Sequence, residues 1–235
     1  MRGYALLEAS SVLRWAETTE HDLAMLKTFW SDLPPDPHLR DAGRYRRRRH
    51  GCFVASSNQV KQVAHRAHWQ PLAYNALHGG MRRWFAPLET EMIECQAWAA
   101  LLSALARQSS TLHGEQDWFI EAHPFRIDTT DGIGRPTPEG AHRDGVDLVA
   151  VFILERHAIK GGETRIFEAD GPTGLRFTLE QPWSLILLDD HRVIHESTPI
   201  QPLDRKTLGW RDTLVITCRS GAFQGDAQDV PENPD

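Results

Sequence analysis

The residue types that could bind a transition metal occur close together at one place in the sequence. His142 and Asp144 are separated by a single residue, and alternate residues of an extended chain point to the same side. An imidazole and a carboxylate with this spacing can be presented to one ion. Two histidines and one carboxylate that leave other metal positions open are suited to non-haem iron(II) oxygen chemistry. The pattern therefore requires one further histidine from elsewhere in the chain.

His195 is the histidine that best completes this set. It lies in a strand-like segment, and antiparallel barrels bring such distant strands side by side. His191 shares the predicted strand face of His195 and is the alternative distal ligand. A second pair with the same spacing, His113 and Glu115, lies in a polar stretch before the first predicted strand and is the alternative metal pair.

Arg211 begins another strand-like run that follows His195. Its guanidinium fork matches a carboxylate bidentately, which a lysine does less well. Arg211, Thr213, Val215 and Thr217 share one strand face, so that a cation and hydroxyl groups lie along one wall. The sequence thus predicts a place for an organic acid, with the alternative that Arg211 pairs with a structural carboxylate.

Helices in the first half of the chain are predicted to cover one side of a sheet. Thr18 or Thr19 caps a first helix, and Ser56 and Ser57 introduce a second that reaches about Trp69. The strongest pattern follows Pro87, where apolar residues are spaced by three and four. These residues are Leu88, Met92, Cys95, Ala99, Leu102 and Leu105.

From Trp118 onward the chain consists of short strand-like runs separated by glycine and proline. Strands without intervening helices predict a sandwich or barrel of the jelly-roll type. We expect one α+β domain over residues 1–219, with a helical layer at about 1–114, a jelly-roll core at about 115–219 and a flexible acidic tail at 220–235. The predicted strands are 118–128, 146–154, 164–167, 175–179, 183–188, 193–197 and 212–218.

The composition is that of a globular protein of 235 residues, with 40% hydrophobic and 25% charged residues. The net charge of −6 argues against nucleic acid and acidic membranes as partners. Five arginines between Arg44 and Arg49 are interpreted as a solvated or edge-strand segment, with nucleic-acid contact or one arginine at a substrate carboxylate as alternatives. Three scattered cysteines and no secretory or membrane-spanning pattern favour the cytoplasm.

Longer strings around these residues resemble a known family. The most specific are 136–145 (PTPEGAHRDG), 161–164 (GGET), 188–190 (LDD), 195–200 (HESTPI) and 210–212 (WRD). They are similar to the Fe(II)- and 2-oxoglutarate-dependent dioxygenases with a double-stranded β-helix (jelly-roll) core. Within that family they resemble the bacterial free amino-acid hydroxylases, such as the isoleucine 4-hydroxylases. The resemblance covers about residues 38–218, including a weaker basic match at 45–49.

The resemblance implies a role for each of the chemistry-bearing residues. His142, Asp144 and His195 would bind Fe(II), and Arg211 would hold the distal carboxylate of the cosubstrate 2-oxoglutarate, with Thr213 beside it. A small molecule, most simply an amino acid, would be hydroxylated by O2 with release of succinate and CO2. Oligomeric state is not indicated by the sequence.

Four further residues are candidates for contact with the substrate. Glu121 and His123 alternate on the first predicted strand and would face the barrel interior, whereas Arg126 would point to the other face if the strand is regular. Arg143 stands where the resembling group ordinarily has Gln, which would change the charge at the pocket mouth. The function classes that compete with hydroxylation are a non-catalytic iron- or organic-acid-binding sensor and a metal-only enzyme, and the latter would not need Arg211.

Overall fold

The computed structural model describes residues 3–56, 59–204 and 206–226. Its helices are α1 (Ala9–Ala16), α2 (Glu20–Lys27), α3 (Thr90–Glu94) and α4 (Gln96–His113), with a 3₁₀ turn at Thr28–Trp30. Its strands are β1 (Tyr4–Leu7), β2 (Arg46–Arg48), β3 (Gly51–Ala55), β4 (Val60–Gln62), β5 (Trp118–Asp128), β6 (Leu148–His157), β7 (Ile159–Gly161), β8 (Thr164–Glu168), β9 (Gly174–Phe177), β10 (Leu185–Asp189), β11 (Val193–Ser197), β12 (Ile200–Pro202) and β13 (Trp210–Arg219).

An eight-stranded antiparallel sheet forms the centre of the molecule. Its strand order is β1-β10-β6-β13-β5-β3-β4, and β2 also pairs with β5. A three-stranded sheet, β11-β8-β9, and a two-stranded sheet, β12-β7, complete the strands. Ile166 of β8 and Val193 of β11 pack with Val149 and Ile186 of the large sheet in one apolar cluster. The three-stranded sheet therefore covers one face of the large sheet.

The helices cover the other face of the large sheet through the main apolar core. Trp98 and Leu105 of α4 pack in one buried cluster with Ile120 of β5 and with Leu214 and Ile216 of β13. Each such side chain contributes roughly 1.5–3 kcal/mol when it is fully buried. Because strand residues alternate between faces, burying these positions against the helices turns their neighbours toward the opposite side, where the cavity lies.

Helix α2 is capped by Thr19 and is followed by Trp30, which bonds to the main chain of β5 and β13. The Thr19 hydroxyl accepts a hydrogen bond from the Asp22 amide at 3.1 Å, as a helix N-cap does. After the helix, the Trp30 indole donates to the main-chain oxygens of Phe125 and Thr213, both at 3.1 Å. The register between β13 and β6 shifts at the Asp212–Thr213 step, so Trp30 supports an irregular part of the ladder.

The structure confirms the seven strands predicted in the second half of the chain. Strands β5 and β11 have the predicted bounds and the other five differ by a few residues at their ends, whereas β7 and β12 were not predicted. The helices predicted after Thr19 and after Pro87 are also present.

The helix predicted from Ser56 to about Trp69 is wrong. Part of this segment, Val60–Gln62, is strand β4, which pairs with β3. β3 in turn pairs with β5, so β3 and β4 form a hairpin at the edge of the large sheet. Ser57 lies outside the described residues. The layer predicted at 1–114 is consequently mixed, because β1 to β4 belong to the large sheet.

Residues 220–226 differ from the flexible tail expected from the sequence. Phe223 is buried, and its ring contacts that of Phe119 edge to face at a centroid distance of 5.0 Å. The guanidinium of Arg66 lies 4.3 Å from the Phe223 ring centroid and pairs with Asp226. The rest of the predicted tail, 227–235, lies outside the described residues. Within the described ranges, no helix has the length and apolar character required to cross a membrane.

Candidate metal centre and substrate cavity

His142 and His195 are brought together by the main chain itself. The His142 amide donates to the His195 carbonyl oxygen at 3.0 Å, and the His195 amide donates to the His142 carbonyl oxygen at 2.9 Å. This isolated antiparallel bridge places the two ring centroids 4.7 Å apart. Two histidines that are far apart in sequence thereby become neighbours at β11, the edge strand of the three-stranded sheet.

Asp144 completes a set of three groups that could hold one metal ion. Its Oδ1 lies 3.8 Å from Nε2 of His142, and its Oδ2 lies 3.6 Å from Nε2 of His195. One potential ligand atom from each residue lies within 4.8 Å of the others. The three residues that the sequence singles out as a metal set therefore converge in space.

Neighbouring groups orient the His142 ring toward this centre. His142 Nδ1 lies 2.9 Å from the carbonyl oxygen of Gly140, so Nδ1 carries the proton and donates it to that oxygen. The lone pair is then on Nε2, the atom nearest Asp144. A backbone contact of this kind is the usual way in which a metal-binding histidine is held in its tautomer.

Asp190 fixes the turn that carries Asp144. Its carboxylate accepts hydrogen bonds from the amides of Asp144, Gly145 and Val146, at 3.1, 2.7 and 3.1 Å. Gly145 has a φ of 76°, which is readily adopted only without a side chain. The LDD string singled out in the sequence thus orients the metal-binding turn through its last residue.

The electrostatics of the three groups suit a cation. Burial raises the pKa of Asp144, and the nearby carboxylate of Glu139 adds to this. Burial and the neighbouring His142 lower the pKa of His195 to about 3. Gln70 Nε2 donates a hydrogen bond to Asp144 Oδ1 at 3.3 Å. A partly buried carboxylate beside two imidazoles is a donor set that fits a divalent iron ion.

Arg211 is a buried cation on the same side of the sheet. It is 4% exposed, its Nε has no hydrogen-bond partner, and among the described residues no carboxylate lies within ion-pairing distance of it. Burial and the nearby Arg156 lower its pKa to about 10. The alternative that Arg211 pairs with a structural carboxylate is therefore not observed in the described part of the chain. A buried guanidinium of this kind calls for an anionic ligand.

One cavity of about 130 Å³ joins these groups. The metal-binding set and Arg211 line it, as do Thr213, Val215 and Thr217 from the same face of β13. On the adjacent strand β5, Phe119, Glu121, His123, Phe125 and Ile127 alternate into it. The faces predicted for both strands are confirmed.

The structure brings two of the four predicted substrate residues into the cavity. Glu121 and His123 line it, whereas Arg126 and Arg143 do not. Arg126 lies on the opposite face of β5 and forms two hydrogen bonds, at 2.8 and 2.7 Å, with the carboxylate of Asp212. Arg126 thus points away from the cavity, as expected for a regular strand, and its role as a substrate residue stays an untested prediction.

Arg143, which was expected to change the charge at the pocket mouth, does not line the cavity. It stands between two members of the metal-binding set, and its Nη2 donates to the His191 carbonyl oxygen at 3.0 Å. It lines a shallow surface depression beside His142.

The alternative ligands His191, His113 and Glu115 stay outside the metal-binding set. The His191 side chain is 63% exposed and bonds Asp147 at 3.0 Å. His113 ends α4 and Glu115 is exposed.

Several cavity residues were not singled out by the sequence. β2 contributes Arg46 and Arg48, which belong to the arginine run that was interpreted as a solvated or edge-strand segment, with contact to a substrate carboxylate as one alternative. The loop between β4 and α3 contributes His68, Gln70, Asn75, His78 and Arg83, and the segment after β13 contributes Gln224. The loop carries no periodicity that could have predicted its position.

A second histidine cluster in the cavity wall is a hydrogen-bonded network. Glu121 Oε2 lies 2.9 Å from His50 Nε2 and 2.5 Å from His68 Nδ1. Such separations are those of hydrogen bonds, whereas the shortest contacts in the His142 set are 3.6 Å or more. Burial lowers the pKa of His68 to about 4, and although burial alone would raise that of Glu121, the two histidines lower it. Glu121 is therefore an ionised carboxylate that accepts hydrogen bonds from two imidazoles.

Comparison with known proteins assigns the class. The model of the 2OG-Fe dioxygenase family matches residues 27–217. The chain belongs to this family and is an oxygenase that uses Fe(II) and 2-oxoglutarate, with O2 as the second cosubstrate. This assignment favours an enzyme over the non-catalytic binding protein.

Solved structures give the same fold. The chain is 55% identical to a bsmA homolog from Methylobium petroleophilum PM1, with a TM-score of 0.92 over 96% of this chain and 92% of that one. IDO from Bacillus thuringiensis is 16% identical, with a TM-score of 0.76 over 94% and 95% of the two chains. The Fe(II)/(alpha)ketoglutarate-dependent dioxygenase TqaL is 22% identical, with a TM-score of 0.70 over 92% and 82%. No curated protein matches the chain.

Proposed function

We propose that this oxygenase hydroxylates a small molecule, and that the substrate class is a free amino acid or an amino-acid derivative. The observation that carries the proposal is the shared cavity: a metal-binding set and a buried guanidinium without a carboxylate partner among the described residues line one space of about 130 Å³. A space of this size accommodates a small molecule rather than a folded polymer. The amino-acid class is supported by the sequence strings that resemble the bacterial amino-acid hydroxylases.

His142, Asp144 and His195 are the proposed iron ligands. Their convergence supports this role, as does the orientation of the His142 lone pair by Gly140. When bound, iron(II) and 2-oxoglutarate supply the chemistry that places one oxygen atom of O2 into a C–H bond, with succinate and CO2 as the other products. The residues themselves hold the ion on one side and leave the cavity side open for ligands.

Arg211 and Thr213 are the proposed partners of the distal carboxylate of 2-oxoglutarate. They share the cavity face of β13, and Arg211 lacks a carboxylate among the described residues. A guanidinium gives that carboxylate two parallel hydrogen bonds, and the Thr213 hydroxyl is available as a further donor. Val146, Val151 and Val215 line the same space and would keep water from the reacting groups.

The proposal extends to architecture and compartment. The large sheet and the β11-β8-β9 sheet that faces it are the two halves of the proposed double-stranded β-helix, within a single domain over residues 1–219. The cytoplasm is the proposed compartment, supported by three cysteines that form no disulfide, Cys52, Cys95 and Cys218.

The test is anaerobic loading with iron(II) and 2-oxoglutarate, followed by oxygen and a library of amino acids scored by succinate release and product mass. We expect a metal-to-ligand absorption band on loading and an oxygenated product with at least one amino acid. His195→Ala should abolish iron retention, whereas Arg211→Met should keep iron but raise the 2-oxoglutarate requirement. His191→Ala, which removes an exposed histidine, is the matched control and should retain iron. Succinate release without any oxygenated amino acid would contradict the substrate class.

A further inference from the structure

We propose that Arg48 and Arg83 form a binding subsite for a carboxylate of the organic substrate. The subsite lies on the cavity wall built by β2, β5 and the loop between β4 and α3. This inference rests on the proposed function, because it concerns the second organic molecule that the oxygenase must hold besides 2-oxoglutarate.

Arg48 is a fixed and buried cation. It is 4% exposed, and its guanidinium lies 3.7 Å from the ring centroid of Phe85 and 4.3 Å from that of Phe125. Nη2 donates to His123 Nδ1 at 2.6 Å, while Nε is buried without a partner. The aromatic contacts hold the guanidinium in one plane, and its charge is left without a carboxylate at ion-pairing distance among the described residues.

Arg83 approaches the cavity from the loop. It is 2% exposed, and its main chain forms an antiparallel bridge with His68 through two hydrogen bonds of 2.9 Å. Nη2 donates to Gln70 Oε1 at 2.9 Å, and this oxygen also accepts from Asn75 at 3.0 Å. Arg83 Nε is buried without a partner. The loop is therefore built to hold a second guanidinium at the cavity wall.

Two nearby carboxylates are already engaged, whereas a third, Glu139, lines the cavity with its Oε2 buried and without a hydrogen-bond partner among the described residues. Asp36 pairs with Arg46 at 2.7 Å, and Glu121 accepts two hydrogen bonds from histidines on one oxygen. Neither Arg48 nor Arg83 has a carboxylate within ion-pairing distance among the described residues, and an incoming carboxylate would supply that partner. Surface arginines differ in this respect, since Arg49 contacts Glu89 at 2.6 Å.

His123 is the third group of this subsite. Because its Nδ1 accepts the hydrogen bond from Arg48, its proton lies on Nε2, and His123 lines the cavity. Arg48 thus fixes the tautomer that carries the proton on Nε2, which lies 3.8 Å from Glu121 Oε2.

The subsite is separate from the place proposed for 2-oxoglutarate. Arg48 pairs with Phe125, and Phe125 pairs with Thr213 on the next strand. Neighbouring strands are about 4.8 Å apart, so the Arg48 and Thr213 main chains are roughly 10 Å apart. One cavity therefore offers two anion-binding positions, and the second is available to a different molecule.

The direct test compares matched probes on the unmodified protein. The protein is loaded with Mn(II) and 2-oxoglutarate, which prevents turnover, and titrated calorimetrically with free amino acids and other small carboxylic acids, each paired with its primary amide. We expect the best acid to bind about 10- to 100-fold more tightly than its amide, the loss typical of a hydrogen-bonded charge. If no acid binds more tightly than its amide, the inference is wrong, even when Mn(II) and 2-oxoglutarate bind and the proposed function stands.

Variants then locate the effect. Arg48→Met and Arg83→Met should each reduce the preference for acid over amide by about tenfold or more and leave 2-oxoglutarate affinity unchanged, whereas Arg48→Lys should retain part of the preference. Arg47→Met is the matched control, because Arg47 is on the same strand, is 43% exposed in its side chain and does not line the cavity. Weakened 2-oxoglutarate binding with an unaltered acid preference would assign these arginines to the cosubstrate and overturn the inference.

Discussion

Replacing Arg211 by methionine should stabilise the ligand-free protein while weakening its binding of 2-oxoglutarate. The pKa of Arg211 is lowered from an ordinary value of 12.5 to about 10, chiefly by burial, and each pH unit corresponds to about 1.4 kcal/mol. Holding the charged group in place therefore costs on the order of 3 kcal/mol in the absence of an anion. Methionine retains an apolar stem without the charge, and such replacements stabilise by about 1–4 kcal/mol.

The size of the protein converts this free energy into a measurable change. For a chain of this length, 1 kcal/mol moves Tm by roughly 2–4 °C, so a stabilisation of about 1–4 kcal/mol should raise Tm of the metal-free variant by about 2–16 °C. Added Mn(II) and 2-oxoglutarate should raise Tm of the unmodified protein but have a much smaller effect on the variant. Calorimetric unfolding with and without both ligands measures each quantity.

Arg126→Met is the matched control for this experiment. Arg126 lies on the neighbouring strand and faces away from the cavity, where it pairs with an Asp212 side chain that is fully buried. Removing the Arg126 guanidinium leaves the buried Asp212 carboxylate without its partner and should destabilise the protein by about 3 kcal/mol. If Arg211→Met destabilises the protein to the same extent and leaves the 2-oxoglutarate affinity unchanged, Arg211 is not a buried cation whose partner is 2-oxoglutarate.

Three further changes test the packing around the site. Because burial lowers the pKa of His68 to about 4, the unfolded chain binds more protons than the folded chain between about pH 6.5 and pH 4. The free energy of unfolding should therefore fall as the pH falls through that range. Urea titrations at several pH values should show that His68→Gln reduces this dependence of the free energy of unfolding on pH. Trp30→Phe removes two hydrogen bonds to the main chain of the cavity sheet and should cost about 1–2 kcal/mol in urea unfolding, and an unchanged stability would argue against the supporting role. Gly145→Ala places a methyl group 2.5 Å from the Tyr74 ring, at a residue whose φ is 76°. Both Tm and iron retention should therefore fall. Iron retention equal to that of the unmodified protein would show that the turn adapts to the added methyl group.

Local patterns were sufficient to predict the parts of the site that lie on regular strands. On β13, the alternation of Arg211, Thr213 and Val215 predicts one shared face, and all three line the cavity. Alternation also predicts that Arg126 points to the opposite face of β5, where it pairs with Asp212. The spacing of His142 and Asp144 similarly predicts that both reach one point, as observed.

The wall opposite the metal-binding set could not be predicted in this way. Arg48 belongs to a run of arginines whose local pattern fits a solvated strand equally well, and only its pairing with β5 places it against Phe125 inside the molecule. Arg83 and His68 lie on a loop whose position depends on contacts with distant residues. Sequence cannot rank such contacts because their free energy arises only when the whole sheet has assembled.

The amino-acid sequence by itself therefore determines which side chains share a strand face and which residue types are available for metal and anion binding, since both depend on backbone geometry over a few residues. The tertiary structure decides which strands become neighbours, which arginines are buried without a carboxylate, and which face a charged group occupies. These outcomes depend on long-range pairing and on burial, and burial gives Arg48, Arg83 and Arg211 an electrostatic character that no arginine has in the unfolded chain.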